Sequence, residues 1–254
     1  MNVKIACAYH TQAEKIKNQL LDKYPNIFVP VLGGAVNYKQ GSSALFDSFY
    51  RDDDLDPNIS ELNPQYSEHA VIYWLYRHLS YFGDPDMIGL CHYRRFMDLD
   101  YDNLDYDTIY LRRCPLSFPD NIAGLLCDFV GCHVSQLVMD EYACRYPQFR
   151  EATRLALYQP KLFDKCMFIM NRVHFSHFMT YSCAMYRLVF DPVITLQIEK
   201  WYHTYHDQIS YKWLYGRSKA FFLEAVTAIY FTWLQMNHFR IVITQPTKDS
   251  FNEH

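Results

Sequence analysis

Short apolar runs alternate with helical patterns at the start of the chain. The run Val3–Tyr9 predicts a strand, and Thr11–Glu14 resembles a capping box that opens a helix ending near Tyr24. A second apolar run, Ile27–Leu32, predicts another strand that Gly33 and Gly34 bring to an end. Strand, helix and strand in this order are typical of a parallel sheet with crossover helices.

A clearly marked helix and a buried strand follow a loop-like segment at 37–57. Asn63 is the predicted N-cap of the helix and Pro64 its first residue. Apolar residues at helical spacing then form a stripe of Val71, Ile72, Leu75 and Leu79. The uninterrupted apolar run Met87–Cys91 predicts a strand that is buried on both faces.

The rest of the chain predicts a helical C-terminal third. Residues 98–125 look irregular and acidic, strands are predicted at Asp128–Cys132, Lys165–Met170 and Arg240–Thr244, and helices at 172–190, 195–214 and 217–236. We therefore expect an α/β fold with a mainly parallel central sheet, organised as a single domain over residues 1–254. In this interpretation residues 1–170 are the α/β core and 171–254 the helical part.

Composition narrows the class of protein. The chain is 50% hydrophobic and 20% charged, which is typical of a folded globular protein. A net charge of −4 without a basic stripe excludes a nucleic-acid partner. The eight cysteines include no CxxC pair, which favours reduced, buried thiols over disulfides or a zinc site. Without a signal pattern or an apolar membrane span, the chain is expected to be soluble and cytoplasmic.

Glu68 is a candidate functional acid because it lies on the apolar stripe of the predicted helix. A carboxylate on a core-facing stripe is costly to bury unless it is paired. The alternative is a partly exposed acid that the helix dipole stabilises.

The segment His92-Tyr93-Arg94-Arg95 follows the buried strand directly. Ligands of open α/β sheets bind beyond the carboxyl ends of strands, so these side chains are suited to hold an anion. If the chain stays extended, His92 and Arg94 face one side, and Tyr93 and Arg95 the other. One pair would then bind a diphosphate while the other forms a salt bridge with an acid such as Glu68. A surface arginine pair is the alternative.

The chain resembles the DUF4422 family, most densely between about residues 53 and 97; members of this family come from bacterial capsule, exopolysaccharide and O-antigen gene clusters. The resemblance rests on Asp56–Glu68 (DPNISELNPQYSE), on Tyr73-Trp74, and on Ile88–Phe96 (IGLCHYRRF). Weaker similarity is found at Pro30–Ala35, Met167–Met170 and Phe222–Glu224. The sequence departs from the family at Cys166, where an Asn is expected, and at Ala225, where the family has an Arg. If that Arg contacts a ligand, Arg217 is a candidate to replace it.

The resemblance implies a glycosyltransferase with a GT-A-like, Rossmann-like fold. Its donor is expected to be a UDP-hexose, with UDP-galactofuranose suggested by the family, and its acceptor a glycan or lipid-linked glycan of a surface polysaccharide. Work at the cytoplasmic face of the inner membrane would need at most peripheral membrane association. The alternatives are a non-catalytic nucleotide-sugar-binding protein and a metal-dependent hydrolase.

Candidate site residues fall into three groups. The catalytic acids are Glu68, Asp128 and Glu224; Asp128 and Glu224 have a structural ion-pair role as their alternative. Besides the HYRR segment, the donor is expected to contact Tyr9, His10, Gly33 and Gly34, where a plain glycine turn is the alternative. Candidate sugar-binding residues are Asn58, Ser60, Asn63, Tyr66 and Arg217, although Asn58, Ser60 and Asn63 also suit turns and caps.

The acidic strings raise the question of a metal. Asp98-Leu-Asp100 has the spacing of a DxD motif, but it lies in an acidic segment that is typical of a solvated surface, and Asp52–Asp54 forms a second string. Because the strand end carries cations instead, we expect no required cofactor: fixed cations would neutralise the diphosphate, with Mn²⁺ or Mg²⁺ as the alternative.

Overall fold

The structure is a computed structural model that describes residues 1–10, 19–41, 43–112, 114–115, 121–159, 161–162, 166–205 and 216–244. Predictions that lie outside this part of the chain are the capping box at Thr11–Glu14, the start of a strand at Lys165, and residues 206–214 of the helix predicted at 195–214.

Seven strands form the central sheet, in the order β3-β2-β1-β4-β8-β5-β9. They are β1 (Val3–Tyr9), β2 (Phe28–Leu32), β3 (Tyr50–Arg51), β4 (Met87–His92), β5 (Ile109–Arg112), β8 (Phe168–Asn171) and β9 (Ile241–Thr244). A separate antiparallel pair consists of β6 (Cys114–Pro115) and β7 (Lys161–Leu162). Only β8 runs against the others, so the expected α/β fold with a mainly parallel sheet is confirmed.

The described helices are concentrated in the second half of the chain. They are α1 (Leu20–Lys23), α2 (Asn63–Tyr66), α3 (His69–Arg77), α4 (Ile122–Val130), α5 (Cys132–Arg145), α6 (Arg150–Tyr158), α7 (Arg172–Val189), α8 (Pro192–Tyr205) and α9 (Ser218–Met236). The last three confirm the predicted helical C-terminal third. No helix in these ranges has the length and apolar character that a membrane span requires.

The chain groups into two compact units. The first contains Met1–Arg113, Asp164–His177 and Arg240–His254, and it carries the central sheet. The second contains Cys114–Phe163 and Phe178–Phe239, and its described part is largely helical. The division into an α/β core and a helical part at about residue 170 stays a prediction.

Strand β4 lies between β1 and β8 and is almost entirely buried. Its residues Met87–Cys91 are all buried, as the continuous apolar run predicts. Gly89 allows the close approach of β8, since a side-chain Cβ at this position would lie 2.7 Å from the carbonyl oxygen of Phe168. Cys7 on β1 and Cys91 on β4 lie opposite each other in the strand register, and both are buried free thiols.

The prediction of a strand at Asp128–Cys132 is wrong. Asp128 lies in helix α4, and Gly131, with a φ of +84°, separates this helix from α5. The apolar residues of this stretch therefore serve a helix rather than a strand. The expectation of reduced thiols is also wrong here, because Cys127 and Cys132 form a disulfide across the junction of the two helices.

The predicted helix at residues 63–79 is interrupted, and Asn63 is not its N-cap. Asn63 is the first residue of α2, and its side chain donates to the carbonyl oxygen of Ser67 at 3.0 Å instead of capping the helix. Ser67 has a φ of +54°, so the backbone leaves the helical conformation before α3 begins at His69.

Candidate functional site

The carboxyl ends of the parallel strands meet at one edge of the sheet in the first unit. From β1 the chain passes to β2 on one side and later returns to β4 on the other, so the strand order reverses between β1 and β4. Such a reversal is the position at which open α/β sheets bind ligands. The residues that follow these two strands are His10 and the HYRR segment.

The HYRR segment is a tight turn rather than an extension of β4. The N–H of His92 donates to the carbonyl oxygen of Arg95 at 3.2 Å, and the N–H of Arg95 donates back to His92 at 3.0 Å. Tyr93 and Arg94 therefore lie at the tip of the turn. The predicted alternation of the four side chains between two sides is wrong, because the extended strand ends at His92.

Tyr93 is fixed at the boundary between the two strands. Its N–H donates to the carbonyl oxygen of Ala8 at 3.0 Å, and its hydroxyl forms a hydrogen bond of 3.1 Å with Nε2 of His10. The ring packs edge-on against His10 and lies 5.6 Å from the ring of Tyr9, between centroids. Tyr9, His10 and Tyr93, which the sequence analysis assigned to donor binding, thus form one cluster.

Arg94 is the cation of this cluster that is available to a ligand. Its guanidinium lies 5.5 Å from the centre of the Tyr93 ring, and the residue is half-buried. Within the described ranges Arg94 forms no ion pair, and its buried Nε has no hydrogen-bond acceptor. A half-buried guanidinium with unused donors is suited to bind a phosphate oxygen.

Glu68 is held by neighbours other than arginine. It lies half-buried directly before α3 and accepts a hydrogen bond from the hydroxyl of Ser67. Burial raises the pKa of this carboxyl, but the attraction of His69 and His92 and the Ser67 hydrogen bond outweigh it, so the pKa lies below its ordinary value. The expected salt bridge from the HYRR segment to Glu68 is not formed in the described part of the chain.

Asp52 is a buried acid that the sequence analysis did not single out from the string Asp52–Asp54. Its carboxylate accepts from the N–H of Gly34 at 2.8 Å, from the N–H of Ala35 at 2.9 Å and from the hydroxyl of Ser60 at 2.5 Å. Burial raises the pKa of Asp52, and these three donors oppose the rise. The burial of Asp52 could not be predicted because the strand before it, β3, has only two residues, too few for a periodic pattern.

The loop at Gly33 and Gly34 depends on glycine for packing as well as for its turn. Gly34 has a φ of +69°, and a Cβ at either glycine would lie 3.0 Å from a side-chain atom of Asn63. Because the N–H of Gly34 is engaged by Asp52, this donor is used within the protein. Both glycines are buried, and their role in donor binding stays a prediction.

The predicted sugar-binding residues near this loop are largely engaged with the protein itself. The amide nitrogen of Asn58 donates to Oδ1 of Asp56 at 2.9 Å, and the hydroxyl of Ser60 donates to Asp52. Asn63 bonds the backbone of Ser67, and Tyr66 is 5% exposed. The contacts of Asn58 and Ser60 are thus those expected of residues that stabilise turns and caps. Sugar binding by Asn58, Ser60, Asn63 and Tyr66 stays a prediction.

Three further candidates belong to the second unit, whereas the HYRR turn belongs to the first. Asp128 is exposed on α4. Glu224 is half-buried on α9, and Arg217 directly precedes this helix. Their predicted roles remain untested.

Arg112 is a second cation at the carboxyl edge that sequence reasoning missed. It is the last residue of β5 and is 2% exposed. Its guanidinium contacts the sulfur of Met167 at 3.5 Å. The residue lies inside a segment that looked irregular and acidic, so no pattern pointed to a buried arginine.

The acidic strings show separate local roles. Asp53 pairs with Arg51 at 2.9 Å, and Asp100 accepts from the amide of Asn103 at 2.7 Å. Across the described ranges, no three side chains among His, Cys, Asp and Glu come together as a potential metal site. Independence from a metal remains a prediction about activity.

Comparisons with known proteins support the resemblance found in the sequence. Residues 4–114 match the model of DUF4422, a domain of unknown function, which confirms the resemblance over that part of the chain. Among solved structures, the apo structure of the WbbM bifunctional glycosyltransferase has a similar fold, with a TM-score of 0.69 and 18% sequence identity. The match covers 99% of this chain and 46% of WbbM, so the chain spans about half the length of that protein. No curated protein matches the sequence.

Proposed function

We propose that this chain is a glycosyltransferase that binds a nucleotide-sugar donor at the carboxyl edge of the sheet, between β1 and β4. The observation that carries the proposal is the HYRR turn, which presents Arg94 at the point where the strand order reverses. The GT-A-like fold shared with a glycosyltransferase supports it.

In this proposal the diphosphate of the donor lies against Arg94 and His92. A guanidinium placed where negative charge develops lowers the barrier without a metal ion. Tyr93 and His10 hold the turn in place, because their hydrogen bond joins the ends of the two strands. The loop that Asp52 fixes borders the same edge and is proposed to contact the nucleoside.

The reaction transfers the sugar to a hydroxyl of the acceptor. The hydroxyl oxygen forms a bond to the anomeric carbon, the bond from that carbon to the diphosphate oxygen breaks, and the nucleoside diphosphate leaves with the electron pair. A carboxylate takes the proton of the hydroxyl. Of the three proposed acids, Glu68 belongs to the same unit as the HYRR turn, while Asp128 and Glu224 belong to the second.

The finer assignments follow from the family resemblance. The donor is proposed to be a UDP-hexose, with UDP-galactofuranose as the first to test, and the acceptor a glycan or lipid-linked glycan of a bacterial surface polysaccharide. The site of action would then be the cytoplasmic face of the inner membrane.

Calorimetric titration of UDP in the presence of EDTA tests the donor site. We expect wild-type protein to bind UDP and Arg94→Ala to bind it about 10- to 100-fold more weakly, because each charge-assisted hydrogen bond contributes about 1.5–3 kcal/mol. Arg77→Ala is the matched control, since Arg77 is exposed at the end of α3 and its loss should leave binding unchanged. Equal binding by wild type and Arg94→Ala would refute the assignment of Arg94.

Two further outcomes test the function itself. Binding that requires Mn²⁺ or Mg²⁺ would contradict the metal-free site, and an absence of binding under all conditions would contradict a UDP-sugar donor.

Release of UDP from UDP-sugars then separates the function classes. A transferase needs an acceptor, a hydrolase releases UDP without one, and a binding protein releases none.

A further inference from the structure

A cavity of about 350 Å³ lies in the first unit, along the segment that follows the HYRR turn. This is within the size range of small-molecule sites, at its lower end. The wall combines aromatic and polar side chains. Those that bear on its chemistry are Gln19, Lys23, Tyr24, Phe96, Asp98 and Tyr101.

The aromatic part of the wall is fixed by packing. The rings of Tyr24 and Tyr101 lie 5.3 Å apart, between centroids, and Tyr101 also packs edge-on against Phe28 at 4.9 Å. The hydroxyl of Tyr101 donates to the carbonyl oxygen of Met97 at 2.5 Å. Phe96 packs against the core while part of its surface stays accessible. Fixed aromatic rings are suited to the apolar face of a sugar ring.

The polar part of the wall suits a neutral ligand with hydroxyl groups. Asp98 offers acceptors, Lys23 offers donors and Gln19 offers both. Lys23 lies 4.8 Å above the ring of Tyr24, and the carboxylates of Asp100 and Asp102 attract it. An anion would be repelled by these carboxylates, so the surroundings disfavour a phosphate group.

The position of the cavity connects it with the proposed donor site. Phe96 follows Arg94 by two residues, and since consecutive Cα atoms are about 3.8 Å apart, the two Cα atoms lie within about 8 Å of each other. The Phe96 end of the cavity is therefore next to Arg94, whereas Tyr24 and Tyr101 lie near Phe28 at the amino end of β2. A glycan whose end receives the sugar near Arg94 could extend along this cavity with the residues that precede that end.

We propose that this cavity binds a sugar residue of the acceptor glycan that precedes the residue receiving the transferred sugar. The inference rests on the proposed function, because it takes Arg94 to mark the diphosphate of the donor. It assigns the acceptor to α1, which was predicted as the end of a helix, and to residues 96–101, most of which belong to the segment predicted to be irregular and acidic.

Saturation-transfer NMR with simple glycosides tests this site without knowledge of the natural acceptor. The probes are the methyl glycosides of galactose, glucose and mannose, each added to wild-type protein with and without saturating UDP. We expect at least one probe to bind and to remain bound in the presence of UDP. Phe96→Ala should weaken its binding by about three- to tenfold, as expected for loss of an aromatic contact.

The controls separate this inference from the donor site. Tyr81→Ala removes an exposed aromatic ring of the first unit outside the cavity and should leave glycoside binding unchanged. Asp98→Asn changes an exposed carboxylate, so it tests the cavity even if Phe96→Ala fails to fold, and it should also weaken the probe.

Three results would overturn the inference. One is that UDP displaces every glycoside, another that the two cavity variants bind the probes as wild type does, and the third that no probe binds to protein that binds UDP. Failure of UDP binding itself would instead contradict the proposed function.

Discussion

Protonation of His69 should make the protein lose stability between neutral and mildly acidic pH. His69 is the first residue of α3 and is 0% exposed, and its Nε2 lies 3.1 Å from the sulfur of Cys166. Burial lowers the pKa of His69 from 6.5 to about 4, and the neighbouring Glu68 carboxylate opposes this shift only in part. The folded protein therefore keeps the imidazole neutral where the unfolded chain would protonate it.

The size and sign of the effect follow from this difference. A shift of about 2.5 pKa units at 1.36 kcal/mol per unit corresponds to about 3 kcal/mol. Because the unfolded chain binds the proton below pH 6.5 and the folded protein only near pH 4, the free energy of unfolding falls as the pH is lowered through this window. Between about pH 7 and pH 4.5, His69 should account for a loss of about 2–3 kcal/mol.

Urea unfolding at these two pH values measures the loss in wild type, His69→Gln and His133→Gln. Glutamine keeps a polar side chain but binds no proton, so His69→Gln should be less stable at neutral pH and lose about 2–3 kcal/mol less than wild type on acidification. His133 is exposed on α5, and its replacement should leave the pH dependence as in wild type. If wild type and His69→Gln lost equal stability on acidification, the neutral buried state of His69 would be refuted.

Three other substitutions test packing and the site. Asp52→Ala leaves three hydrogen-bond donors without their acceptor, so the free energy of unfolding should fall by about 3 kcal/mol or more in urea unfolding. Unchanged stability would contradict the role of this carboxylate in holding the Gly34 loop. Gly89→Ala should lower the free energy of unfolding by about 1–3 kcal/mol because the added methyl meets the backbone of β8. Gly216→Ala, whose methyl meets no atom of the described residues within 4 Å, should lower it much less in the same assay. Tyr93→Phe removes the hydrogen bond to His10 and should weaken UDP binding in calorimetry by up to about tenfold. The circular dichroism spectrum should stay unchanged. Unaltered affinity for UDP would show that this hydrogen bond does not hold the proposed site in place.

The parts of the fold that the sequence predicted well are those in which one local signal decides the structure. The runs at Val3–Tyr9 and Met87–Cys91 became strands because they are apolar throughout and lie in the middle of a parallel sheet. The strand predicted at Asp128–Cys132 failed because the same apolar character occurs in a helix that packs on several sides. Gly131 marks a junction between two helices, and its effect depends on the left-handed conformation that it adopts.

Similar reasoning applies to the candidate site. The sequence predicted that the HYRR segment ends a buried strand, and this is where the strand order reverses. The hydrogen bond from Tyr93 to His10 and the contacts of Asp52 with the loop join residues that are distant in sequence or belong to very short elements. Contacts of this kind form when the sheet assembles, so they cannot be predicted from the periodic pattern of a single segment.

The contacts at the carboxyl edge indicate that the proposed donor site would be preformed rather than assembled by the ligand. Tyr93 is held by His10 and Ala8, and the Gly34 loop is held by Asp52, so these groups are ordered before a ligand binds. Arg94 is less restrained than Tyr93 and the Gly34 loop, because its half-buried side chain forms no ion pair within the described ranges. A long side chain loses up to about 2 kcal/mol of rotamer freedom when a ligand fixes it. Each charge-assisted bond to a phosphate is worth as much or more, and the ring of Tyr93 beneath the guanidinium reduces the freedom that must be lost. The ordered edge therefore keeps the cost of binding low, and Arg94 is the group proposed to stabilise the charge that develops on the departing diphosphate.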